Sequence, residues 1–215
     1  DSRKGISATL LVKDGTLTIS ERLSRRGTKP PWHSDVLKKH DYAGNTNQYP
    51  RPDFSANSRY PKVRPVWTYD TGYTIASTPA IWRNLAIVGD ASGKVYALSL
   101  EAGKVQWTFN AKNAVYSTPD VSGDLVVLAS TDGNVYALKA ATGKEAWRYS
   151  TDRPIVASPR IAEGMVYIGS SEGSFRALDL ATGKPVWQFD GLAGFVETKP
   201  LVYDGKVIFG AWDEH

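Results

Sequence analysis

Short apolar runs recur along most of this chain and keep a constant phase. Leu85-Ala86-Ile87-Val88, Leu125-Val126-Val127-Leu128, Met165-Val166-Tyr167-Ile168 and Val207-Ile208-Phe209 are unbroken apolar segments flanked by polar turns. A short run without alternation predicts a strand covered on both faces. A second set follows each run: Val95-Tyr96-Ala97-Leu98, Val135-Tyr136-Ala137-Leu138 and Phe175-Arg176-Ala177-Leu178. A third set ends on tryptophan: Val105-Gln106-Trp107, Glu145-Ala146-Trp147 and Pro185-Val186-Trp187. Ahead of each unit stands a segment such as Ser77-Thr78-Pro79-Ala80-Ile81 or Ser117-Thr118-Pro119-Asp120-Val121. Each unit therefore predicts four short strands. Ser92-Gly93, Asp132-Gly133 and Glu172-Gly173 supply the tight turns between the second and third, where a positive φ is needed.

The phase is a repeat of about 40 residues. Trp67, Trp107, Trp147 and Trp187 keep it, as do Gly93, Gly133 and Gly173, and Gly103, Gly143 and Gly183 with the lysines that follow them. Pro79, Pro119 and Pro159 keep it too, and Pro200 comes one residue late. A four-stranded unit of this length is the blade of a β-propeller, which cannot bury both faces alone and so must stack on neighbours. The expected fold is all-β: four-stranded antiparallel blades, about three and a half of them over 65–215. A β-solenoid is the runner-up, with rungs usually shorter than this repeat.

Composition narrows the reading. The 215 residues carry a net charge of +4 with both signs scattered through turns, and no basic stripe of the kind nucleic-acid binders concentrate. With no cysteine, a disulfide framework and thiolate-bound metals are excluded. No apolar run is long enough for a transmembrane helix. Before the repeat, Asp14-Gly15 between two apolar stretches predicts a β-hairpin within 1–28, read as the end of an upstream domain. Residues 29–64, polar and rich in Pro, Asn and Tyr, read as a linker or as an entry segment to the first blade.

The stretch Asp132-Gly133-Asn134-Val135-Tyr136-Ala137-Leu138, followed by Thr142-Gly143-Lys144-Glu145-Ala146-Trp147, resembles the repeat of PQQ-like, quinoprotein-type propellers. The units ending at Trp107 and Trp187 match it nearly as well, so the resemblance covers about 60–215. It implies a ring of seven or eight blades in which Trp107, Trp147 and Trp187 dock one blade on the next. Trp67 shares their phase and resembles the outer strand that closes such a ring. Against that ring the chain reads as a fragment, with missing blades or a second copy needed to close it. The resemblance also implies a periplasmic or extracellular protein, although no targeting signal is present.

Candidate chemistry is sparse. Ala-Thr-Gly-Lys at 141–144 and 181–184 lacks the upstream glycine and following hydroxyl of a phosphate loop, and reads as a turn. His33, His40 and His215 have no metal-ligand spacing, and the Asn/Asp-rich stretch 41–53 lacks the order of a calcium loop. The Ser-Thr-Pro serines, Ser77 and Ser117, recur in phase with the blades, which argues for structure, since a catalytic group is needed once. The informative side chains are those that break the repeat in the loops entering the first strands. Tyr73, Tyr116, Arg153 and Glu197 are the ligand-binding candidates there. Asp120 and Arg160 hold equivalent positions in neighbouring first strands and are expected to meet.

No catalytic constellation stands in the sequence. The expected role is a non-catalytic scaffold that binds a protein segment or small molecule at the propeller face, with no cofactor. One alternative is the accessory propeller of a multidomain hydrolase, such as a calcineurin-like metallophosphoesterase. The other is part of a PQQ-dependent dehydrogenase, for which PQQ and calcium would require the whole protein.

Overall fold

The structure is a computed structural model that describes residues 65–212 with their side chains. It also describes the backbone of two strands, β1 (Ile6–Lys13) and β2 (Thr16–Leu23), which are neighbours in one sheet. The linker expected over 29–64, with His33, His40 and 41–53, lies outside the described residues, as does His215. Two compact units divide the chain, Asp1–Thr9 with Ser20–Val66 and Leu10–Ile19 with Trp67–His215. All the blades lie in the second.

After β3 (Pro65–Asp70), which carries Trp67, come three four-stranded sheets. Blade one is β4 (Ala80–Trp82), β5 (Leu85–Gly89), β6 (Lys94–Ser99) and β7 (Val105–Asn110). Blade two is β8 (Asp120–Ser122), β9 (Leu125–Ala129), β10 (Asn134–Lys139) and β11 (Glu145–Ser150). Blade three is β12 (Arg160–Ala162), β13 (Met165–Gly169), β14 (Phe175–Asp179) and β15 (Pro185–Phe189). β16 (Leu201–Tyr203) and β17 (Lys206–Ile208) pair as a two-stranded sheet. Within every blade the strands run antiparallel in chain order. The all-β propeller architecture read from the repeat is therefore the observed one. Among the described residues no helix is long and apolar enough to cross a membrane.

The core lies between blades rather than inside them. Successive residues of a strand point to opposite faces, so β10 sends Tyr136 and Leu138 towards blade one and Val135 and Ala137 towards blade three. The second and third strands are covered on both sides, which is why their sequences do not alternate. Opposite each docking tryptophan stands alanine: Ala97 faces Trp107, Ala137 faces Trp147 and Ala177 faces Trp187. The register slips by one residue just after that alanine in all three blades. The bulge and the small residue together make room for the indole.

Candidate binding surface

Each tryptophan of the outer strand reaches into the following blade. Trp67, Trp107 and Trp147 donate through Nε1 to the carbonyls of Leu100, Ala140 and Leu180, at 2.8, 2.9 and 2.8 Å. The ring then lies on the glycine of the next outer turn. A Cβ built on Gly143 would stand 2.5 Å from Trp107, and its φ of +70° is itself unfavourable to side chains. Gly103 and Gly183 meet Trp67 and Trp147 in the same way. The Thr-Gly-Lys turns are thus sockets for indole rings, and this accounts for their recurrence without any phosphate chemistry.

The Ser-Thr-Pro segments link the innermost strands. The backbone N–H of Thr78 donates to Thr118 Oγ1 at 3.1 Å, and that of Thr118 donates to Ser158 Oγ at 2.9 Å. Ser117 Oγ both donates to and accepts from the backbone of Ala129, at 2.8 Å each way. Asp120 is the hub of the charged groups here. It accepts from the Ile161 N–H at 2.7 Å and lies 3.9 Å from Arg160 Nη1 and 3.2 Å from Lys199 Nζ. The expected approach of Asp120 and Arg160 occurs, with Lys199 as a third member. These partly exposed ion pairs organise the inner strands more than they stabilise them.

The four candidate ligand contacts occupy surface loops. Tyr73 and Tyr116 are exposed to 56% and 38%, and Arg153 and Glu197 are exposed as well. Tyr73 and Arg153 hold one repeat position in blades one and three. Tyr116 and Glu197 hold another, ahead of β8 and β16. No hydrogen bond or ion pair joins any two of them among the described residues. They stand as separate exposed side chains, not as the walls of one preformed pocket.

A pocket does open elsewhere. A cavity of about 400 Å³ between blades two and three is lined by Tyr149, Ser150, Thr151 and Asp152 on one side. Glu172, Ser174, Arg176, Gln188 and Asp190 line the other. Arg176, only 6% exposed, forms its floor. Its guanidinium is ion-paired to Glu172 and donates to Gln188 Oε1 at 2.8 Å and Ser170 Oγ at 3.0 Å. Asp190 Oδ1 accepts from Ser174 Oγ and Gln188 Nε2, at 2.8 and 2.7 Å, and these bonds hold its carboxyl below the usual carboxylate range.

In the preceding blade contact the same place is packed. Tyr136 stands where Arg176 does, edge-on to Phe109 with ring centroids 5.1 Å apart, and donates to Asp132 Oδ2 at 2.6 Å. Burial, and then the Asp132 carboxylate, push the Tyr136 phenol above its ordinary value. Burial works against the Asp132 carboxylate, but hydrogen bonds from Tyr136, Lys112 and Asn134 outweigh it and hold that group down. The sequence reading did not single out this pocket. Its one signal is arginine at 176 where Tyr96 and Tyr136 keep the phase.

Known proteins agree with this architecture. The family model described as outer membrane protein assembly factor BamB matches residues 61–138 and 91–213. The crystal structure of BamB from Moraxella catarrhalis is 25% identical, with a TM-score of 0.63 over 69% of this chain and 50% of that one. The chain thus spans about half the length of that protein. A quinohemoprotein alcohol dehydrogenase from Pseudomonas putida HK5 is 26% identical, with a TM-score of 0.51 over 56% of this chain and 21% of that one. The computationally designed Ika4 protein, at 22% identity and a TM-score of 0.59, covers 65% of this chain and 86% of its own and shares the fold. No curated protein matches. From the in-phase indole sockets, the four-stranded blades and a family match over most of its length, the chain belongs to the PQQ-like propeller family described as outer membrane protein assembly factor BamB.

Proposed function

We propose that this propeller is a non-catalytic binding scaffold whose partner is a protein segment engaged at the loops that enter the first strands. The observation that carries the reading is a division of labour among side chains. The residues that recur in phase are engaged in joining blades: Trp67, Trp107 and Trp147, the socket glycines, and the hydroxyls of Thr118 and Ser158. The residues that break phase on these loops, Tyr73, Tyr116, Arg153 and Glu197, stand exposed with side chains turned to solvent. A repeat that keeps its structure constant and varies its loops suits recognition. The family description names an assembly factor, which supports a protein partner and an envelope location.

Site-specific photocrosslinking tests this in cells. Crosslinkers at 73, 116, 153 and 197 should yield one discrete adduct, while crosslinkers at Lys104 and Lys144, on the outer turns, should not. Adducts of equal strength from both sets would sink the reading.

The 26% identity to a quinohemoprotein dehydrogenase favours a second reading, part of a quinone-dependent enzyme. That reading would need a calcium site beside the quinone. Among the described residues no three His, Cys, Asp or Glu side chains are placed to hold a metal ion, and the indoles of Trp67, Trp82, Trp107 and Trp147 are bonded to backbone carbonyls. Dye reduction by the purified chain on addition of PQQ and calcium would restore that reading.

A further inference from the structure

The cavity between blades two and three is a departure from the repeat that the blade contact itself does not require. The nine lining positions have equivalents between blades one and two, where an aromatic pair occupies the centre. Phe109 and Tyr136 fill the space with two rings, and the Arg148 guanidinium lies over the Tyr136 ring at 5.3 Å. Asn134 accepts from Ser150 Oγ at 2.6 Å, and the Lys112 N–H donates to Asp132 at 2.9 Å. In the next contact Arg176 replaces Tyr136, Gln188 replaces Arg148, Asp190 replaces Ser150 and Asp152 replaces Lys112. The result is an open polar cavity in place of an edge-on aromatic pair.

These changes work together. A buried guanidinium with its carboxylate is at best neutral for stability against a well-packed ring of similar size. Arg176 is therefore not there to hold the blades together, and a repeat that breaks its own packing rule does so where it has a function. The charge also changes sign. Three carboxylates (Asp152, Glu172, Asp190) now face one guanidinium, where the equivalent positions set Lys112 and Arg148 against Asp132. Glu172, Gln188 and Ser170 take three of the five N–H groups of Arg176, and Glu172 offsets its charge, so the carboxylates of Asp152 and Asp190 leave the cavity with an excess of negative charge. Asp190 uses only Oδ1 internally and leaves Oδ2 to the cavity, and Asp152 is exposed at the rim. At about 400 Å³ the space falls within the roughly 300–1,000 Å³ of ligand pockets.

We infer that this cavity is a site for an organic cation, the guanidinium or ammonium of an Arg or Lys side chain carried by a partner protein. Asp190 Oδ2 and Asp152 would accept its hydrogen bonds in charge-assisted geometry, with the Tyr149 side and the hydroxyls of Ser150, Thr151 and Ser174 lining the space around its stem. The inference is independent of the loop-binding reading, because none of the four loop candidates lines the cavity.

Fluorescence polarisation on the full chain tests it, with a labelled Ala-Ala-Arg-Ala-Ala peptide and the same peptide carrying neutral citrulline. The arginine peptide should bind at least tenfold more tightly than the citrulline peptide. Asp152→Asn with Asp190→Asn, both at the exposed rim, should weaken it at least tenfold while the variant still unfolds in a single cooperative transition. Arg176→Tyr with Gln188→Arg rebuilds the packing of the preceding contact and should abolish binding without lowering the thermal midpoint. Equal affinity for the two peptides, or wild-type affinity in the carboxamide variant, would overturn the site. Spermidine binding as tightly as the arginine peptide would overturn its assignment to a protein segment.

Discussion

Trp147 and Trp187 are the same residue at the same point of two successive blades, each opposite an alanine and each just past the same bulge. Trp147 is 9% exposed, its Nε1 bonded to Leu180 and its ring seated on Gly183. Trp187 is 41% exposed, with the rings of Tyr167 and Phe175 at 6.1 and 6.0 Å. A blade by itself does not bury its tryptophan; the turn of the next blade does. Stability in this fold accordingly resides in contacts between units, as in other repeat architectures.

The largest effect should separate those two tryptophans. Trp147→Ala empties a filled socket and should cost about 3–5 kcal/mol. Trp187→Ala removes a half-exposed ring and should cost about 1 kcal/mol, in line with its partial burial. Urea midpoints of the two variants measure this directly, and equal losses would break the comparison. The socket can be attacked from its other half. Gly183→Ala places a methyl 2.5 Å from the Trp147 ring at a φ of +71°, whereas Gly205→Ala has a similar φ and open space. Both pay for the left-handed backbone, about 1–3 kcal/mol, and Gly183→Ala should lose clearly more.

A second contrast concerns acid and sets blade two against blade three. Asp132 is held below the usual carboxylate value in the folded chain, so as pH falls through about 4 the unfolded chain takes up the proton first. Its contribution is intact above that pH and disappears as pH drops through the folded value. The equivalent Glu172 faces the permanently charged Arg176 instead of a phenol. Asp132→Asn should flatten the acid limb of the thermal midpoint plotted against pH. Curves for wild type and Asp132→Asn that stay parallel between pH 6 and pH 3 would show that Asp132 is not the group responsible.

Much of this was legible in the chain because the fold writes its period into the sequence. Trp107 and Gly143, or Trp147 and Gly183, sit at one fixed spacing, so plug and socket can both be read once blades are recognised. Tyr73, Tyr116, Arg153 and Glu197 were found as phase-breakers and do lie on surface loops, but their separation depends on blade placement that no local pattern encodes. Lys199 joins Asp120 and Arg160 through a position that one inserted residue shifts out of phase. The cavity was the hardest to see. Its walls come from 149–152 and 172–190, which face each other only after two blades have stacked, and Arg176 by itself looks like ordinary variation in a strand.

The smallest effect tests whether the repeat is equally satisfied everywhere. Ser77 and Ser117 occupy the same position in blades one and two, and both are buried. Ser117 Oγ has two backbone bonds to Ala129, whereas Ser77 Oγ has no hydrogen-bond partner. Thr198, one blade further than the intervening Ala157, restores the pattern on Gly210, accepting its N–H at 3.0 Å and donating to its carbonyl at 3.2 Å. A net hydrogen bond is worth about 1 kcal/mol, and a buried hydroxyl without one costs a similar amount. Ser117→Ala should therefore destabilise by about 1 kcal/mol, while Ser77→Ala should be neutral or stabilise by up to about 1 kcal/mol. Urea midpoints resolve a difference of that size. If Ser77→Ala lost as much as Ser117→Ala, the Ser77 hydroxyl would have a partner after all, and blade one would be bonded to the same standard as blade two.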